Sequence, residues 1–284
     1  MFLNLGQIPT LIVSSPDTVA EIVNNHDVVF SDRPKTTATD ILFYGNKTVA
    51  FSPYGEYWKE TRKECVVQLL SLKRVQSFEF VREQEVGNLV DKVREACLGG
   101  TSVNLSQMLI AASTNIVSRC VLGQARKLGG VASEVEDFVD VLLRLQHDCT
   151  LDFELTQDHL KAILQVSLFS RIETTSTVSE WLMAELVRNP RVTKKAQEEV
   201  RRVLGQKEKD FQFVPFGFGR RRCPGLAFGI FSVEHLIANL LYWFDWKLPN
   251  GVGILPEDLD MCEVYGITVH KKVPLEVLPT LYSP

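Results

Sequence analysis

No basic excess is present in this chain of 284 residues: 31 Lys and Arg stand against 35 Asp and Glu, a formal net charge of −4. A surface without surplus cations has no electrostatic reason to hold a phosphate backbone, so nucleic acid is not expected as a partner. The six cysteines, at 65, 97, 120, 149, 223 and 262, form no pair at zinc-finger or thioredoxin-like spacing, and no secretory leader precedes them. Reduced thiols are therefore expected. The opening segment MFLNLGQIPTLIVSS is broken by Asn4, Gln7 and Pro9. Its apolar runs fall far short of the roughly 18 to 20 residues that span a bilayer, so no membrane anchor is expected in this chain. Internal repeats and low-complexity tracts are lacking as well.

What is present is a composition of 45% hydrophobic and 23% charged residues, suited to a soluble domain with a sizeable core. The turn at GQIPT predicts a short hairpin, and SPDTVAEIVNNH supplies an N-cap serine, a proline at the first helical position and an apolar helical pattern. From Pro53 to about Cys97 the pattern is helical with a break near Ser71. NLSQMLIAASTNIVSRCVLG predicts a more buried helix ending at Gly123, QARKLGGVAS a loop, and EVEDFVDVLLRLQ a further helix. The longest helical run extends from Thr156 to Asn189, where Pro190 ends it, and VTKKAQEEVRRVLG follows. LAFGIFSVEHLIANLLYWF is almost wholly apolar, interrupted by Glu234, His235 and Asn239, and is expected to be a buried interior helix. The tail is rich in proline, glycine and β-branched residues, which predicts short strands.

The stretch PFGFGRRRCPG, residues 215–225, places Cys223 behind three arginines and just before the apolar helix. Free backbone N–H groups and the positive end of a helix dipole favour an anion there, so a thiolate is favoured. Glycines at 217, 219 and 225 remove side chains around the sulfur and would admit a flat, bulky group. An iron porphyrin fits, with the thiolate as axial ligand and an arginine on a propionate. A small buried hydrophobic thiol, a surface turn and a weak phosphate loop are the alternatives at this point. A zinc site is disfavoured because no second ligand cluster accompanies Cys223.

Phe216, Gly219, Arg221, Cys223 and Gly225 match the F-x-x-G-x-R-x-C-x-G signature, and the chain resembles plant-type members of the cytochrome P450 superfamily. The resemblance implies that Cys223 is the proximal ligand of haem iron and that Arg221 contacts a propionate. It implies too that Phe216 shields the sulfur while Gly219 and Gly225 shape the loop. PYGEYWKETRKECVVQLLS is similar to the family's C-helix, in which Trp58 and Arg62, four apart on one helix face, would reach a propionate. SRIETTSTVSEWLMAELVRNP resembles the long I-helix on the oxygen side of the haem, where Glu173 and Thr174 fall on the proton-delivering acid and alcohol. The family's glycine is here Arg171, whose guanidinium would project towards the oxygen side or be forced away from it.

By the resemblance, the fold is mainly α, a helical domain with small β-sheets, lacking the F and G helices, the K-helix and the meander. Residues 1–284 form one incomplete domain: 1–130 hold the N-terminal sheet and the C, D and E helices, 131–205 the I and J helices, and 206–284 the cysteine loop, L-helix and terminal strands. E-x-x-R strings at Glu79–Arg82, Glu198–Arg201 and Glu199–Arg202 lack the K-helix context. The implied activity is haem-thiolate monooxygenation, placing one oxygen atom from O2 into a small hydrophobic plant metabolite. It would use haem b (iron protoporphyrin IX) and electrons from NADPH through NADPH-cytochrome P450 reductase. A truncated, non-catalytic chain with weak or no haem binding is the alternative. The family sits on the endoplasmic reticulum membrane through an anchor helix, and without it a cytoplasmic or peripheral location is expected.

Overall fold

The computed structural model describes residues 1–6, 8–123, 135–148, 151, 153–202, 215–249 and 255–282. The expected loop QARKLGGVAS and the junction at Gly205 lie outside them. The chain opens on an antiparallel hairpin, β1 (Phe2–Leu5) and β2 (Ile8–Leu11), with Gly6 at φ 64° in the turn. In α1 (Pro16–Glu21) the Ser15 hydroxyl accepts from the Thr18 N–H, and proline occupies the first turn, where its missing donor costs nothing. After α2 (Thr37–Leu42), α3 (Glu56–Glu64) runs into a π-helical turn at Cys65–Leu69. The break near Ser71 is a cap: its side chain accepts from the Arg74 N–H at the start of α4 (Leu72–Ser77). Helix α5 (Glu79–Gly99) ends on Gly100 in the left-handed region, the usual helix stop.

A two-residue strand, β3 (Val103–Asn104), precedes α6 (Leu105–Leu122), α7 (Phe138–Asp148) and the long α8 (Gln157–Arg188). Thr156 and His159 form a reciprocal capping box at the start of α8. Asn189 ends it before α9 (Pro190–Arg202). Helix α10 (Leu226–Trp243) leads into β4 (Phe244–Lys247), followed by β5 (Glu263–Val264), β6 (His270–Lys271) and β7 (Glu276–Leu281). Strand β7 lies between β3 and β4, antiparallel to both, and β5 pairs with β6. The expectation of helices with small sheets and a terminal run of short strands is met.

The core lies where α5, α6, α8 and α10 pack together, around Val93, Leu109, Ile116, Met183, Leu236 and Leu240. Each such aliphatic side chain contributes roughly 1.5–3 kcal/mol by leaving water. Ser106 ties three parts of the chain, donating to Glu180 of α8 and accepting the Leu275 N–H at 2.7 Å. Gln197 and Arg201 of α9 both reach Asp245 of β4, at 3.0 and 3.3 Å.

One expectation is corrected. Helix α10 is not enclosed on all sides: Phe228, Leu236 and Leu240 face the core, whereas Phe231, Tyr242 and Trp243 are 36%, 45% and 40% exposed. Its described neighbours, α4, α5, α8, α9 and β4, leave a face uncovered. By length and composition α6 and α10 could each cross a membrane, but both carry core side chains.

Candidate functional site

The cysteine loop is closed by its own backbone. The Cys223 N–H donates to the Phe216 carbonyl at 3.0 Å, and the Arg222 N–H to the Gly219 carbonyl at 3.1 Å across a 3-10 turn at Gly219–Arg221. Gly217 and Gly219 take φ of 70° and 63°, a region that L side chains avoid. A Cβ on Gly219 would also collide with the Asp27 carboxylate. That carboxylate accepts the Arg220 N–H at 3.2 Å and pairs with the Arg220 guanidinium at 3.0 Å, holding the loop against the N-terminal segment. The half-buried Phe216 lays its ring against Gly229, where a Cβ would stand 3.4 Å from the ring. Cys223 is exposed, ahead of Gly225 at the N-terminus of α10.

Helix α3 brings the remaining basic and aromatic residues to the same loop. Trp58, only 3% exposed, donates its indole N–H to the Val49 carbonyl at 2.9 Å. Its ring lies under two guanidinium groups, Arg221 at 4.0 Å and Arg62 at 5.5 Å. Arg62 donates to the Arg222 carbonyl, next to Cys223. Arg221 donates to the carbonyls of Ser31, Val49 and Ser52 at 2.6, 3.4 and 2.8 Å. Burial draws the Arg221 pKa down to about 10 and lowers that of Arg62, and Arg221 keeps its charge at neutral pH. Trp58, Arg62, Arg221 and Cys223, distant in sequence, thus share one corner of the fold.

Helix α8 supplies a third guanidinium. Arg171 stacks over Phe138 of α7 at 4.9 Å and Phe228 of α10 at 5.3 Å. Its Nε and the Cys223 sulfur each lie 3.8 Å from the point where a Cβ on Gly225 would stand. Its Nη1 is shut off from solvent without a hydrogen-bond partner. Burial draws its pKa down to about 10, against the opposing influence of the thiols of Cys65, Cys120 and Cys223. The guanidinium thus packs between α7 and the start of α10, close to Gly225 of the cysteine loop. Glu173 and Thr174 sit further along α8: Glu173 is half-buried, and the exposed Thr174 hydroxyl donates to the Ser170 carbonyl at 2.6 Å. The contacts of these two residues do not reach the cysteine loop.

The sequence profile described as Cytochrome P450 matches residues 1–147, 130–210 and 206–274. The chain belongs to the cytochrome P450 family. It is 35% identical to phenylacetaldehyde oxime monooxygenase CYP71AN24 of Prunus mume over 436 residues, covering 100% of this chain and 83% of that protein. It is 32% identical to cytochrome P450 71A1 of Persea americana over 433 residues, covering 98% and 86%. A solved zebra fish cytochrome P450 with abiraterone superimposes at a TM-score of 0.78, with 19% identity and coverage of 99% and 95%. The plant relatives place this chain with plant-type P450 proteins, whose general chemistry is haem-thiolate monooxygenation with electrons from a redox partner.

The residues that hold haem in P450 proteins have counterparts here on one side of the site and not on the other. On the Cys223 side the fit is good for an exposed sulfur on a glycine-bounded loop with Arg62 and Arg221 beside it, but the Trp58 indole N–H, expected on a propionate, is instead taken by the Val49 carbonyl. On the α8 side it is not, because the Arg171 guanidinium reaches to the cysteine loop, its Nε 3.8 Å from the missing Cβ position of Gly225. A cavity of about 310 Å³ lies elsewhere, between α5 and α6, lined by Glu85, Asn88, Gln107 and Asn115 among others.

Reading the sequence for side-chain motifs missed Asp27, Phe138, Phe228, Gly229 and the carbonyls of Ser31, Val49 and Ser52. Gly229, one turn beyond Gly225 in an otherwise apolar helix, was a readable signal. A backbone carbonyl carries none.

Proposed function

We propose that this chain is a plant-type haem-thiolate monooxygenase acting on a small hydrophobic metabolite, with Cys223 as the proximal ligand of haem b and electrons delivered from NADPH by NADPH-cytochrome P450 reductase. The observation that carries the reading is the convergence of Trp58, Arg62 and Arg221 on the loop that presents Cys223. Bound haem would supply the redox chemistry that puts one oxygen atom into the substrate. Arg62 and Arg221 would hold the propionates, Phe216 would screen the sulfur, and Gly219 and Gly225 would keep the loop close-fitting. Glu173 and Thr174 would handle protons, and the chain would work in the cytoplasm or peripherally at the endoplasmic reticulum membrane, where the family sits.

A second reading, a chain shortened internally that binds haem weakly and does not catalyse, is favoured by the guanidinium beside Cys223. It gains support from an alignment of 436 residues with a relative against the 284 of this chain. Both are tested by reconstitution with haem, followed by the reduced spectrum under carbon monoxide and turnover with a reductase. A thiolate-type Soret band lost in Cys223→Ser, together with substrate oxidation, supports the first reading. A missing thiolate band sinks it, and a thiolate band without turnover favours the second.

A further inference from the structure

Arg171 is the charged group that the proposed function leaves unexplained. A guanidinium is costly to desolvate, and cations buried in proteins are ordinarily paired. Among the described residues no carboxylate lies within ion-pair distance of it. It is held instead by the faces of Phe138 and Phe228, with Nη1 unpartnered and shut off from solvent. Those two rings come from α7 and α10, so the side chain bridges three helices at the point where α8 passes the cysteine loop. Gly225 lacks a side chain where the two groups approach: the Arg171 Nε and the Cys223 sulfur each lie 3.8 Å from its missing Cβ position, so a larger residue there would touch both.

We propose that Arg171 is a built-in plug of the haem-free chain: its guanidinium fills the space that a planar group on Cys223 must enter, so haem loads only by displacing it. The proposal rests on the haem-thiolate reading above. Displacement breaks two cation–π contacts and moves a long side chain, and both oppose loading. The missing hydrogen bond at Nη1 works in the other direction, since a guanidinium pushed out to water regains its full set of donors' partners. The plug is therefore a reversible obstacle, and its removal should show as tighter haem binding by the folded protein.

The test titrates hemin into the haem-free full chain and into Arg171→Gly, Arg171→Ala and Arg171→Lys, following the Soret band and quenching of tryptophan fluorescence. Far-UV circular dichroism reports whether each protein is folded. The two small replacements are expected to bind hemin about tenfold more tightly than the parent, with Arg171→Lys close to the parent. Should the glycine variant lose its fold, the alanine variant, a better helix former, carries the comparison. Equal affinity in the parent and both small variants, with a thiolate-type band throughout, overturns the plug and leaves the haem-thiolate reading standing. Tighter binding with a band that is not of the thiolate type, and that Cys223→Ser does not change, overturns that reading and the plug with it, because the guanidinium would then guard no ligand. Loss of fold in both small variants also overturns the plug, since a side chain on which the fold depends is not displaceable.

Discussion

Replacing Arg221 by lysine should destabilise the haem-free protein by about 2 kcal/mol, because the structure already employs this side chain as a clamp. Its Nε and Nη2 make short bonds to the Ser31 and Ser52 carbonyls, at 2.6 and 2.8 Å, while the third bond, to Val49 at 3.4 Å, is marginal. A hydrogen bond to a charged group contributes roughly 1.5–3 kcal/mol, and half-burial argues for the lower end, so the two short bonds amount to about 3 kcal/mol. Stacking on Trp58 at 4.0 Å adds roughly 0.5–1 kcal/mol. A lysine recovers about one of the bonds but not the planar fork that reaches two carbonyls at once, which leaves a net loss of about 2 kcal/mol. With a urea slope near 3 kcal/mol per molar, the unfolding midpoint should fall by roughly 0.7 M with the slope unchanged. A midpoint within about 0.2 M of the parent would refute the reasoning and return Arg221 to a purely ligand-facing role.

Two further outcomes are expected. Burial pushes the Glu85 carboxyl up, but Arg119 at 2.6 Å together with Asn115 and Asn88 more than offsets this and leaves its pKa below the ordinary 4.5. A carboxyl depressed by folding contributes stability in full above its unfolded value, and that contribution is lost as pH falls through the folded value. Urea midpoints measured below pH 4.5 should therefore drop more gently with acid in Glu85→Gln than in the parent, and identical slopes would count against the pairing. Native labelling with a maleimide at pH 8, read by mass spectrometry, should modify the exposed Cys223 and Cys262 and spare Cys65 and Cys120 until urea unfolds the chain. Burial pushes the latter two thiols up to about 12, so rapid native labelling of either would contradict their place in the core.

Much of the helical framework was legible because its signals are local. Ser15 before Pro16, Ser71 at the break and Thr156 at the head of α8 all serve as caps, and each is recognisable within a few residues. The shape of α10 was legible and its surroundings were not. An apolar helix predicts burial, but which side is covered depends on the elements that pack against it, and Phe231, Tyr242 and Trp243 stay partly in water.

The candidate site divides along the same line. Residues 215–225 encode their own geometry, with glycines where φ is positive and the Phe216 carbonyl within reach of the Cys223 N–H, so sequence alone determined the loop and the residue that presents the sulfur. Trp58 and Arg62 were likewise readable as a pair, being one helical turn apart. Only the tertiary structure decided what those groups touch. The Arg221 bond to Ser31 spans 190 positions, and the Arg62 bond to Arg222 spans 160. Arg171 comes near the cysteine loop only because α8 passes the start of α10 at a glycine. Contacts of that range depend on the packing of whole helices, a collective balance of burial and shape that no short motif carries.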